Sequence, residues 1–224
     1  MKGCTRLSAF TILLITAPIC AREAPAQSQS RAGIRAGLVM STFLMKNAED
    51  FKEIGWIGGP SVTLYYQFSV GSGLSVQPEL SFVRKGAFLS YLDQRPFLAV
   101  QRRVDLTLDY LELPLLLMVT VPDHGSTRGG IFLGPYVAVR AGFEVSDAGR
   151  GAPSPLEPLG TLSVEEDLSP LDAGGIIGGN IRVAAGTLEL LFDARISLGA
   201  TDVSRDGGDF VGNAALVLSA GIAC

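Results

Sequence analysis

The stretch VTLYYQFSVGSGLSVQPELSF, residues 62–82, decides the fold. Val62, Leu64, Tyr66, Phe68 and Val70 alternate with Thr63, Tyr65, Gln67 and Ser69. After the turn signal Gly71-Ser72-Gly73, Leu74, Val76, Pro78, Leu80 and Phe82 alternate with Ser75, Gln77, Glu79 and Ser81. Successive side chains of a strand point to opposite faces, so a period of two on both sides of a glycine turn predicts a β-hairpin with one apolar and one polar face.

The same period recurs on either side of this hairpin. Upstream, Ile34, Ala36, Leu38 and Met40 are apolar, with Arg31, Gly33, Arg35 and Ser41 interleaved. Downstream, Val104 to Val121 begins with Val104, Leu106, Leu108 and Tyr110 against Asp105, Thr107 and Asp109. It then changes phase, because Leu111, Leu113, Leu115, Leu117 and Val119 become the apolar set and leave Glu112 and Pro114 opposite. A slip of one residue flips every side chain, so this change predicts a β-bulge near Asp109 to Leu111, with an irregular ladder at Pro114. Further alternating runs centre on Ile131 to Phe143, Ala173 to Val183, Leu188 to Leu198 and Phe210 to Ile222, which brings the expected strands to eight. No segment after the first 26 residues holds a helical period with caps, and helical architectures are excluded.

With 224 residues, 47% hydrophobic and 18% charged, the chain is rich enough in apolar side chains to exclude intrinsic disorder and long enough for one domain. The net charge of −4, without a lysine or arginine cluster, excludes nucleic acid as a partner. Residues 1–26 read as a cleaved signal peptide: Lys2 and Arg6 precede the apolar run Leu7 to Ile19, and Ala24-Pro25-Ala26 supplies a small-x-small cleavage site. The domain is then 27–224, with a charge of −6 and Cys224 as its single thiol, so no internal disulfide can form. A lipidated Cys20 is the competing reading, disfavoured by Ile19 in front of it.

The gaps at 71–73, 122–128 and 185–187 are short, whereas those at about 44–55, 89–103, 146–170 and 199–209 are long. Alternation of this kind places all short turns and both termini at one end of an up-and-down sheet, the layout of an outer-membrane barrel with periplasmic termini. A bilayer leaves no water for open strand edges, so the sheet must close and turn its polar face inward. An eight-stranded antiparallel transmembrane β-barrel therefore carries an interior polar ladder of Glu79, Glu112, Tyr136, Arg140, Arg182, Glu189, Asp193 and Arg195, expected to plug the lumen. Glu112 and Arg140 lie at matching distances from the second short turn and are expected to pair, so that Arg140→Leu would strand Glu112. Arg182 and Glu189 flank the third short turn in the same way.

The run Val76-Gln77-Pro78-Glu79-Leu80-Ser81-Phe82-Val83-Arg84-Lys85-Gly86, then Tyr110-Leu111-Glu112-Leu113-Pro114-Leu115-Leu116-Leu117, then Gly134-Pro135-Tyr136, resembles the PorT-like outer-membrane β-barrel family. The similarity spans about Ala32 to the C-terminus. It implies an eight-stranded barrel in the outer membrane of a diderm bacterium. The family's namesake is linked to a secretion apparatus, a role not carried over. Gly221-Ile222-Ala223-Cys224 departs from the usual pattern, in which an aromatic residue closes the last strand.

No enzyme chemistry is legible. His124, the single histidine, sits beside Asp123 in a short turn, and no nucleophile elbow, Walker loop or Cys/His metal spacing occurs. Gly33 and Gly37 form a G-x-x-x-G that has meaning on membrane helices rather than strands. Glu165-Glu166-Asp167 reads as a solvated acidic run in the longest loop. Catalytic residues, cofactors and metals are therefore expected to be none. The expected partners are outer-membrane lipid and, through the long loops, another envelope protein. The function classes are a structural or interaction barrel, a narrow transporter or ligand barrel, and a soluble lipocalin-like binder with its apolar face inward.

Overall fold

The computed structural model describes residues 30–45, 53–95, 98–121, 127–147, 169–203 and 211–224. The expected leader 1–26, His124, the segment 149–158 and the acidic run 165–167 lie outside them. The strands are β1 (Arg31–Met45), β2 (Glu53–Gly71), β3 (Leu74–Arg95), β4 (Leu98–Thr120), β5 (Thr127–Asp147), β6 (Leu171–Ala185), β7 (Leu188–Gly199) and β8 (Val211–Ala223). Each pairs antiparallel with its sequence neighbours, and β1 also pairs with β8 from Gly33↔Ala223 to Met45↔Val211, so the sheet closes. The fold class is that of an eight-stranded closed antiparallel barrel, in which no backbone edge is left to solvate.

The turn that opened the reading is Ser72-Gly73, closed by the Gly71↔Leu74 pair. Gly73 has φ +79°, a conformation in which a Cβ would crowd the following carbonyl. Gly73→Val should cost about 1–2 kcal/mol, read as a lower midpoint of urea unfolding in lipid vesicles; an unchanged midpoint would contradict this geometry.

The third connection differs from expectation. Residues 89–103, read as a long loop, are mostly strand, paired from Leu89↔Val104 to Arg95↔Leu98. β3 and β4 run to 22 and 23 residues, about twice the 9–11 needed to cross a bilayer. Their far ends pair with each other beyond the length that a crossing needs, where the sequence loses its period.

The bulge also takes another form. The irregularity falls where expected, between Asp109 and Tyr110, but the extra residue is Ala141 on β5: Asp109 pairs with Gly142, and Tyr110 with Arg140. β4 keeps its faces throughout. Leu108, Tyr110, Glu112, Pro114, Leu116 and Met118 are all buried, and the alternate residues from Leu111 to Val119 are exposed. The phase change is thus a change of medium. Below Tyr110 the outer face is greasy because it meets lipid; above it the outer face carries Asp105, Thr107 and Asp109.

Charged and aromatic side chains mark that border from outside. Arg84 donates to both carboxylate oxygens of Asp109, at 2.7 and 2.9 Å. The Arg103 guanidinium lies 3.9 Å from the Phe88 ring centroid and also pairs with Asp105. Trp56 is exposed near the same border, while Tyr66 and Phe68, with ring centroids 6.3 Å apart, stand near the short-turn end. Residues 57–67 between these girdles match the length of a tilted crossing, about 9–11 residues.

Candidate functional site

Inward parity on β1, β3 and β7 places Arg35, Glu79, Asp193 and Arg195 in one buried cluster. Arg195 donates from Nη1 to Glu79 Oε2 at 2.8 Å and, through Nε and Nη2, to Asp193 at 2.8 and 2.9 Å. Arg35 donates to the same Glu79 oxygen at 2.5 Å and lies 3.6 Å from Asp193. Gln77 Nε2 donates to Glu79 Oε1 at 2.6 Å. β3 and β7 are not neighbours in the sheet, so Arg195 reaches Glu79 across the lumen. Two guanidinium forks on two carboxylates satisfy nearly every donor and acceptor, the condition under which buried charge is tolerated.

A second layer centres on Lys85. Its Nζ lies 2.6 Å from Glu112 Oε1, 3.3 Å from Ser197 Oγ and 4.7 Å from the Tyr136 ring centroid. Tyr136 Oη in turn donates to Asp172 Oδ2 at 3.0 Å; Asn213 and Thr201 donate to the same carboxylate. Asp172 is thus held by three neutral donors. Beside these layers an apolar column runs along β4 and β5, from Leu108 and Tyr110 to Leu116, Met118 and Phe132. Gly178 makes room for it: a Cβ there would lie 2.6 Å from the Phe132 ring and 2.8 Å from the Arg195 Cβ. Between the ionic layers remains a void of about 20 Å³, bordered by Arg35, Lys85, Glu112 and Arg195, room for about one water molecule.

Of the expected ladder, Glu79, Glu112, Tyr136, Arg182, Asp193 and Arg195 are buried on inward-facing positions, and Arg140 and Glu189 are half-buried on the same parity. The pairings differ. Glu112 ion-pairs with Lys85 and stands opposite Ala138, whereas Arg140 stands opposite Tyr110. Arg140→Leu therefore does not remove the lysine that holds Glu112. Glu189 pairs with Arg31 at 3.5 Å, and Arg182 stands opposite Leu191. The ladder also lacked Arg35, Lys85 and Asp172, although their parity already set them inward. Contacts across the lumen depend on the stagger of the closed sheet, which counting along neighbouring strands does not supply.

Gln77, Glu79 and Lys85 come from one motif strand, Glu112 from the second, and Tyr136 from Gly134-Pro135-Tyr136, which lies within β5. The sequence elements that carried the resemblance are the ones that meet inside. Residues 25–205 match the family described as outer membrane protein beta-barrel domain. The chain belongs to this family. It is an outer-membrane barrel with its polar side chains inside and leucines such as Leu38, 72% exposed, outside.

Solved structures similar to this outer-membrane barrel include the attachment invasion locus protein Ail of Yersinia pestis, 12% identical over 87% of this chain and 99% of that one, with a TM-score of 0.42. OprG from Pseudomonas aeruginosa is 12% identical over 87% and 94% of the two chains, with a TM-score of 0.46. Neisserial surface protein A is 11% identical over 86% and 95%, with a TM-score of 0.42. No curated protein matches the chain in sequence.

Proposed function

We propose that this outer-membrane barrel has a structural or interaction role, that its polar interior is a plug, and that it acts on other molecules through its long connections. The observation that carries the reading is the reach of Arg195 across the lumen to Glu79, beside a void of about 20 Å³ among the described residues. The alternative, a small-solute transporter, needs a continuous aqueous path that this cluster occupies. A lipocalin-like binder needs the opposite polarity, apolar side chains inward around a ligand. The chemistry is non-enzymatic on this reading, since the buried acids and bases of the two ionic layers are engaged with one another. On this reading the chain is a PorT-like member, which its resemblance in the three motifs supports, with residues 1–26 removed on export and both termini in the periplasm.

Planar-bilayer recordings test the plug. The expected result is no steady conductance, and a stable large-amplitude channel would overturn it. Crosslinking from residues 146–170 in intact cells then tests the interaction role: a specific envelope protein should be captured, and an equal yield with these residues replaced by a glycine-serine segment would contradict it.

A further inference from the structure

The lipid-facing side of the barrel is not filled equally all round. Along β4 the outward positions Leu111, Leu113, Leu115, Leu117 and Val119 are all large. From β1 through β8 and β7 to β6, two neighbouring rungs of the sheet break that pattern. The first runs Ala36, Ala220, Phe192 and Ile181, and the second runs Leu38, Leu218, Ala194 and Gly179. Small residues thus occupy β1 and β8 in one rung and β7 and β6 in the next. They leave a stepped groove of about 740 Å³, walled by Leu38 and Leu218 on one side and by Phe192 and Ile181 on the other. The barrel's own side chains do not account for Gly179. β6 keeps a regular register with both neighbours, and among the described residues the Gly130 carbonyl oxygen, at 3.3 Å, is the one atom a Cβ at Gly179 would approach within 4 Å. A glycine inside a strand weakens it and, where there is no bulge, marks a place where another group comes close.

Depth and size set the occupant. The second rung lies five to seven residues from the short-turn ends of its strands, near the middle of a crossing of about 9–11 residues. Asn180, Asp193 and Ser219 border the groove from inward positions, the first two with side chains turned to Met118 and Arg195, so its side-chain surface is hydrocarbon. Thirteen residues line it, too few for a second barrel, since a stable protein interface takes about 20–30 a side. Lipid tails are as apolar as leucine, so shape rather than hydrophobicity selects what sits there, through dispersion contacts that a vacant slot would forfeit. The first rung lies two residues nearer the short turns, so the groove opens towards that half of the bilayer. We propose that it seats one acyl chain of a phospholipid from the leaflet on the short-turn side. The site goes beyond the role proposed above and does not depend on the plug or on which way the barrel faces.

Native mass spectrometry of the full barrel, extracted from palmitoyl-oleoyl phosphatidylethanolamine vesicles into a mild neutral detergent, tests this directly. The parent should retain one phospholipid molecule, and retain it equally when phosphatidylglycerol with the same chains is used, because no headgroup is held. Gly179→Leu combined with Ala194→Leu, which fills the second rung, should lower the retained fraction at least tenfold, while Leu115→Ala on β4 leaves it unchanged. Should the filled variant fail to refold, Ala36→Leu with Ala220→Leu fills the first rung and decides the matter. A parent without retained lipid, retention unchanged in the filled variants, retention that follows the headgroup, or a dimer in place of the lipid-bound monomer would overturn the proposal.

Discussion

Glu79→Leu is expected to destabilise the barrel by about 3–5 kcal/mol, the cost of breaking a buried ion pair by removing one partner. The effect is large because Glu79 accepts from two guanidinium groups and from Gln77, so its loss strands Arg35 and part of Arg195 where water cannot reach them. Asp193 then faces two arginines alone. The readout is the urea midpoint in lipid vesicles, supported by the temperature at which the compact band on an unboiled gel converts to the unfolded one. Replacing Arg35, Glu79, Asp193 and Arg195 together by apolar residues of similar size should recover much of the loss, because desolvating the charges then no longer has to be offset. A Glu79→Leu barrel as resistant as its parent would show that the cluster does not hold the lumen shut.

Leu115→Arg is expected to cost about 2–4 kcal/mol, the penalty for a cation on the lipid face near the midplane. Leu115 is 52% exposed on the outer face of β4, among Leu111, Leu113, Leu117 and Val119. Asp105→Lys, on the same face of the same strand but beyond the girdle of Trp56 and Phe88, should leave the urea midpoint within about 0.5 kcal/mol of the parent, as surface substitutions do. Each substitution leaves one cation on the outer face of β4, the first in lipid and the second in water. Equal effects would mean that the bilayer boundary does not lie between them.

The strands were largely legible from residues because a half-buried sheet in lipid writes its two faces as a strict period of two. The hairpin at residues 62–82, the closing of the barrel and the inward parity of the ionic side chains all followed from that one regularity. Two features escaped it. On β4, Leu108 and Tyr110 are inward apolar residues and Leu111 is an outward one, so hydropathy alone showed a flip where the backbone kept its phase; the missing quantity was depth relative to the membrane. Inside, Glu112 meets Lys85 rather than Arg140, because partners across the lumen are fixed by the stagger of all eight strands.

β4 presents one face outward along its whole course from water into lipid. Spin labels placed singly at positions 105, 107, 109, 111, 113, 115, 117 and 119, with Cys224 changed to serine, measure it in lipid vesicles by collision with oxygen and with a water-soluble nickel complex. Oxygen contact should dominate from 111 to 119 and peak near 115, with nickel contact taking over at 109, 107 and 105. Nickel contact at the leucine positions, or shielding of 105 to 109 from both reagents, would contradict it.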